Sequence, residues 1–256
     1  MEFNYDDKRQ FFERGYLAAR GIVPPAMVRA ARRAIHHNLG QGMDPEQMKT
    51  FRARSYCPEL QEQPLITDLA MNTPAWSLAE SLVGTGRLAP TTSGQIALRF
   101  PSMADRAKMP GCHLDGMHSP RNGVPEGTIQ NFTMLMSVLL CDLPEPNCGN
   151  LTIWPGTHHQ FERYFQEHGA EALLDGMPKI DYPEPVQVTG RAGDVFFVHY
   201  QIAHGVAPHL GPDIRYAVFF RLKHVDHDEQ KLDVMSDIWR EWDGMSEVVE
   251  AAKAGV

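Results

Sequence analysis

Apolar positions in the first third of the chain recur at three- and four-residue intervals. Met27, Ala31, Ile35 and Leu39 lie four apart, behind Pro24-Pro25 and ahead of Gly40. That spacing predicts a helix over 24–40, with proline at its entry and glycine at its exit. Residues 5–14 ahead of Gly15, 59–71, and 74–83 stopped by Gly84 read the same way, so 1–88 is expected to be helical. From about residue 91 the texture changes. Residues 91–100, 131–141, 151–154, 186–188, 195–200 and 215–222 are short runs rich in Val, Ile, Phe and Thr, punctuated by Pro, Gly, Asn and Asp, and predict strands. Within the first of them the period is two: Gln95, Ala97 and Arg99 share one face, Ile96, Leu98 and Phe100 the other. A last amphipathic stretch, 229–242, is expected to close the chain as a helix. The pattern therefore predicts a mainly β fold with flanking helices. Neither a repeat nor a linker divides it, so one domain is expected over 1–256: a helical part over 1–88, a β core over 89–224 and a C-terminal helix over 225–256.

Composition sharpens this little. Hydrophobic residues make up 43% of 256, enough for a core, and the longest apolar run, around 134–141, is the length of a strand. A net charge of −8 argues against nucleic acid as a partner. Glu2, Asp6 and Asp7 precede any apolar run, which speaks against a secretory leader, and no segment suits a membrane. The four cysteines, Cys57, Cys112, Cys141 and Cys148, form no CxxC pair and read as thiols of a reducing cytoplasm. Oligomeric state, monomer or homodimer, is left open. One number does change the picture. Of twelve histidines, seven lie between residues 113 and 204.

Iron that activates oxygen needs protein ligands on one face only, leaving the other positions for cosubstrate and oxygen. Two imidazoles and one carboxylate supply this. In a sequence the set reads as His-x-Asp followed by a distant histidine, and His113, Asp115 and His204 fit. The motif itself is weak, because His224/Asp226 repeats it. Context separates the two. The first pair follows a predicted strand and has His204 downstream, whereas the second lies in the charged stretch 223–231 and is expected to be a solvated loop. Eleven residues past His204, Arg215 enters an otherwise apolar strand. An inward arginine there needs an anion, such as the far carboxylate of a metal-chelating dicarboxylate; the alternative is an exposed arginine with a surface partner. Arg221, on the same face by period two, is expected to matter much less to cosubstrate binding.

Gln95 would contact the cosubstrate if its face points inward, and would be solvated otherwise. Arg99, His118 and Trp154 are candidates for a substrate pocket, with a loop position the plainer account of His118. Arg99, Arg106, Lys108 and Arg121 flank the motif and permit an anionic substrate. His158 is expected to hold structure by hydrogen bonding, His199 to pack in the core, and Trp239 and Trp242 to pack on the β core.

Taken together, the chain resembles the phytanoyl-CoA dioxygenase family of iron(II)/2-oxoglutarate-dependent oxygenases. The run FFERGYL at 11–17 resembles the family's F-x-x-x-G-Y opening, and His113-Leu114-Asp115 its metal motif. CGNLTIWPGTH at 148–158 resembles the segment N-G-x-L-x-x-x-P-G-S/T-H, GDVFF at 193–197 the strand before the second histidine, and Arg215 stands at the cosubstrate arginine. The resemblance implies a double-stranded β-helix, a cupin-like jelly roll, with iron(II) on His113, Asp115 and His204 and 2-oxoglutarate anchored by Arg215. It implies an oxygenase that uses oxygen and 2-oxoglutarate, releases succinate and carbon dioxide, and hydroxylates a small organic molecule. Desaturation, cyclisation, epimerisation and demethylation are alternatives within that chemistry, and a non-catalytic jelly-roll binding module is the alternative outside it. Asp115 itself argues against halogenation, which in related enzymes goes with a small residue at that place. Val206 departs from the family, where a small hydroxyl residue often stands.

Overall fold

A computed structural model describes residues 1–101 and 110–255; Arg106 and Lys108 lie outside the described residues. The chain opens with α1 (Tyr5–Arg14), capped at its start by Asn4 and Asp7 and ended by Gly15 in the left-handed region (φ 76°). The next four residues form β1 (Tyr16–Ala19), a strand inside the part expected to be all helical. Its composition, Tyr-Leu-Ala-Ala, has no strand signature. Only pairing with a neighbour decides it. Helices α2 (Pro25–Gly40), α3 (Met48–Ala53), α4 (Pro64–Met71) and α5 (Pro74–Val83) follow. The helix expected over 59–71 is shorter because Pro64 forces Gln63 into an extended conformation (ψ 145°) and so starts the helix anew.

The β core is built from β2 (Gln95–Arg99), β3 (Met134–Leu139), β4 (Leu151–Ile153), β5 (Val186–Gln187), β6 (Val195–His199), β7 (His204–Val206) and β8 (Arg215–Leu222). One antiparallel sheet runs β1-β6-β3-β8-β2, and a smaller one runs β5-β4-β7. Together they form the jelly-roll core. β3 sits mid-sheet and is buried along its whole length. Met134, Met136 and Val138 join Ile35, Ile66, Leu69 and Leu82 of the helices in one core, while Leu135 and Leu139 join Ile153, Phe161 and Phe196 in a second. A strand covered on both faces has no reason to alternate, which is why 134–141 reads as a continuous apolar run.

Helix α6 (Thr157–His168) lies within the region expected to be all β, and Thr157, Phe161 and Phe165 form its buried stripe at four-residue spacing. The C-terminal expectation needs correction. Residues 229–242 do not form one helix: α7 (His227–Gln230) and a 3-10 turn at Asp233–Met235 give way to irregular chain, and the closing helix is α8 (Ser246–Ala254). This stretch is shaped by what it buries. His227 and Glu241, both 1% exposed, pair at 2.9 Å, with Thr133 also bonded to Glu241, and Trp242 stacks on His199 at 5.0 Å. Among the described residues no helix is long and apolar enough to cross a membrane.

Candidate metal centre

The two histidines meet through the backbone before their side chains do. His113 and His204 exchange both N–H···O bonds, at 2.9 and 3.1 Å, as a single antiparallel bridge. Glycine at 205 allows this approach, since a Cβ there would lie 2.7 Å from the Gly111 carbonyl oxygen. Directly opposed residues project to the same side, and the two rings lie 4.5 Å apart. Nδ1 of His204 donates to the Ile202 carbonyl at 3.0 Å, which leaves its Nε2 lone pair free for a metal. Asp115 stands two residues beyond His113 and turns Oδ1 toward both imidazoles, 3.4 Å from His113 Nε2 and 3.7 Å from His204 Nε2. One ligand atom from each residue falls within 4.8 Å of the others. Burial alone would raise the Asp115 pKa, but Arg221 and the two histidines outweigh it and hold the carboxyl well below its usual range. Two imidazoles and one ionised carboxylate on a single face fit iron(II) and leave positions open.

These groups open onto a cavity of about 1130 Å³. Gln95, Ala97 and Arg99 all line it, so the polar face of β2 looks inward rather than to solvent. His118 lies at the rim, exposed, and donates to the Val124 carbonyl at 2.7 Å. Trp154 does not belong here. It follows β4 on the face opposite Leu151, is buried in the core with Phe161 and Phe165, and takes no part in the lining.

Deeper in the barrel two arginines confront each other. Arg99 and Arg215 are direct partners across β2 and β8, and Arg215 is 2% exposed. Glycine at 149, in the left-handed region (φ 73°), lets both pass, since a Cβ there would sit 3.1 Å from that of Arg99. Arg215 Nη1 donates to the Ala97 carbonyl at 3.1 Å, but Nε and Nη2 of Arg215 and Nε of Arg99 are buried without partners among the described residues. Burial first, and each cation's positive neighbours second, push Arg99 down to about 10 and Arg215 to about 9. Like charges opposed in a sheet destabilise it, and the pair has no counter-ion among the described residues.

Two sequence expectations change. His224 is no solvated loop residue: it is 4% exposed, and Arg87 donates to both His224 and Asp226. The second His-x-Asp pair is thus a structural clasp. Arg221 also belongs to the site, since its guanidinium meets Asp115 Oδ2 at 2.8 Å. Period two already placed it on the inward face. What spacing alone lacked was the position of Asp115, which another segment supplies. Arg52 and Arg54, around α3, line the cavity as well and were invisible for the same reason.

The phytanoyl-CoA dioxygenase (PhyH) family matches residues 11–217. No curated protein matches the chain. Similar solved structures include the non-heme alpha-ketoglutarate-dependent carbocyclase SnoK from nogalamycin biosynthesis (21% identity over 90% of this chain and 91% of that one, TM-score 0.57). HygX from Streptomyces hygroscopicus with nickel and 2-oxoglutarate bound is 19% identical over 88% of both chains, TM-score 0.60. EctD from S. alaskensis is 18% identical over 88% of this chain and 78% of that one, TM-score 0.57. At these identities the solved structures speak for the barrel alone, while the family match spans both predicted ligand histidines and Arg215. With its two histidines and one aspartate on one face of a jelly roll, the chain belongs to the phytanoyl-CoA dioxygenase family, and with it to the iron(II)/2-oxoglutarate-dependent oxygenases.

Proposed function

We propose that this chain, as one catalytic domain, oxidises a small organic substrate bearing an anionic group, with hydroxylation as the outcome. The observation that carries the reading is that Arg99, with its Nε buried and unpartnered among the described residues, lines the same cavity as His113, Asp115 and His204, with Arg215 as its cross-strand partner. His113, Asp115 and His204 would hold iron(II), which supplies the oxygen chemistry when bound. The chain's own residues do the rest. Arg215, with Arg99 opposite, takes the far carboxylate of 2-oxoglutarate by charge-assisted bonds and fixes its direction.

Charge argues for the substrate class. Among the described residues the cavity is lined by Lys49, Arg52, Arg54, Arg99, Arg121, Arg221 and Lys223 against a single acid, Asp115, in a protein whose net charge is −8. A metal dication, Asp115 and the two carboxylates of 2-oxoglutarate together balance Arg215 alone. The remaining cations face an anion not yet counted. HygX and EctD have been crystallised with hygromycin B and 5-hydroxyectoine, small molecules in both cases.

The test is succinate release over a metabolite panel of matched acids and amides. Stimulation by acids over their amides supports the reading, and a product that has gained one oxygen atom supports hydroxylation. A product that has instead lost two hydrogens points to ring closure or desaturation. If iron(II) and 2-oxoglutarate bind without the weak visible absorption of their complex, the oxygenase reading fails.

A further inference from the structure

The two oxygens of Asp115 have different neighbours. Oδ1 faces His113 and His204. Oδ2 takes two N–H groups of one guanidinium, Arg221 Nε at 3.0 Å and Nη2 at 2.8 Å. The other end of that fork is fixed as well: Nη1 donates to Gln95 Oε1 at 2.8 Å, and the guanidinium carbon lies 5.7 Å from the Phe132 ring centroid. Arg221 is therefore held on three sides, by β2, by the metal-motif turn and by an aromatic face. It stands six residues beyond Arg215 on the same strand face, and lies past the residues that the family matches.

A fork engaged at Oδ2 takes up that oxygen's lone pairs and stops the carboxylate turning about its own axis. We propose that Arg221, braced by Gln95, is a positioning residue that holds Asp115 with Oδ1 turned toward His113 and His204, so that this ligand atom is in place before a metal arrives. The inference rests on the reading of His113, Asp115 and His204 as the ligands. Direction rather than charge carries the effect. The Arg221 side chain is 40% exposed, so its Coulomb attraction is screened, whereas the bidentate geometry is not. Sequence distance hides the arrangement, since 106 residues separate Asp115 from Arg221.

The experiment is a manganese(II) titration of the metal-free protein without 2-oxoglutarate, following free manganese by its electron paramagnetic resonance signal. Partners that orient a metal ligand typically change affinity roughly 10–100-fold when removed. Arg221→Ala is expected to weaken manganese binding by that order. Arg221→Lys should recover only part, because an ammonium holds one point of the fork, and Gln95→Leu should weaken binding less but in the same direction. A purely structural arginine would lower the unfolding temperature of the metal-free protein and leave manganese affinity alone, and that result overturns the inference. Tighter binding in Arg221→Ala also overturns it, since Arg221 would then act only as a repelling cation. Should Arg221→Ala not fold, wild-type affinity in both Arg221→Lys and Gln95→Leu overturns it equally. His204→Ala separates the two readings. Manganese binding that survives this change sinks the metal centre itself, while its loss beside intact binding in Arg221→Ala sinks only the role of Arg221.

Discussion

Arg215 concentrates the cosubstrate argument in one residue. Truncating one partner of a buried hydrogen-bonded charge pair costs about 2–5 kcal/mol. Arg215→Ala is accordingly expected to leave a folded protein that still binds metal, while the manganese-loaded form requires far more 2-oxoglutarate to saturate. Arg215→Lys should rescue in part. Pyruvate, which lacks the far carboxylate, should show little difference between wild type and either variant, because the lost contact is one it never makes. Arg99→Ala belongs in the same titration. Arg99 pairs directly with Arg215 across the two strands, so an anion bridging both loses affinity in each variant. Unchanged 2-oxoglutarate binding in Arg215→Ala would move the anchor elsewhere.

At the scale of elements, the metal face depends on how closely β7 approaches the segment before His113. Gly205→Ala would drive a methyl against the Gly111 carbonyl at 2.7 Å, a contact between backbone and Cβ that no rotamer relieves. Overpacking of this kind costs about 1–3 kcal/mol. The expected outcome is a lowered unfolding temperature together with weaker metal binding, since the paired bonds between His113 and His204 must part. Gly40→Ala is the control: nothing lies within 4 Å of a Cβ there, and the position ends a helix, so calorimetry should show neither loss. Metal binding unchanged in Gly205→Ala would mean that the bridge does not set the ligand geometry.

For the whole molecule, a histidine cluster outside the metal centre adds its own dependence on acid. His158, His159 and His199 cluster with Trp239 behind α1; His158 and His159 both donate to the Phe12 carbonyl, and His199 donates to that of Ile238. Burial holds all three below their ordinary values, His199 at about 3. Above an unfolded-state pKa of about 6.5 neither state is protonated and these groups make no difference. Below it the unfolded chain takes up protons that the folded one refuses, so stability falls as pH drops from about 6.5 toward 3. Thermal unfolding followed across that range should show the decline, and His199→Gln should flatten it. A flat profile in the wild type would mean that the cluster accepts protons while folded.

Much of this was legible along the chain. Four-residue spacing with Pro and Gly at the ends determined α2 and α5, and short β-branched runs located every strand except β1 and β7. Order along the chain was enough to separate His113, Asp115 and His204 from the second His-x-Asp pair, and it singled out Arg215. These features are local, or are marked by the strand that carries them. Tertiary structure decided the rest. β1 is a strand because β6 pairs with it, and 229–242 is irregular because His227, Glu241 and Trp242 must each reach a different buried partner. Trp154 left the pocket because β4 turns it to the core, and Arg221 entered the site because Asp115 approaches β8 from a distant segment. Periodicity tells which side of an element a residue faces. What waits on that side is set by chain folding back from a hundred residues away, and no local pattern encodes it.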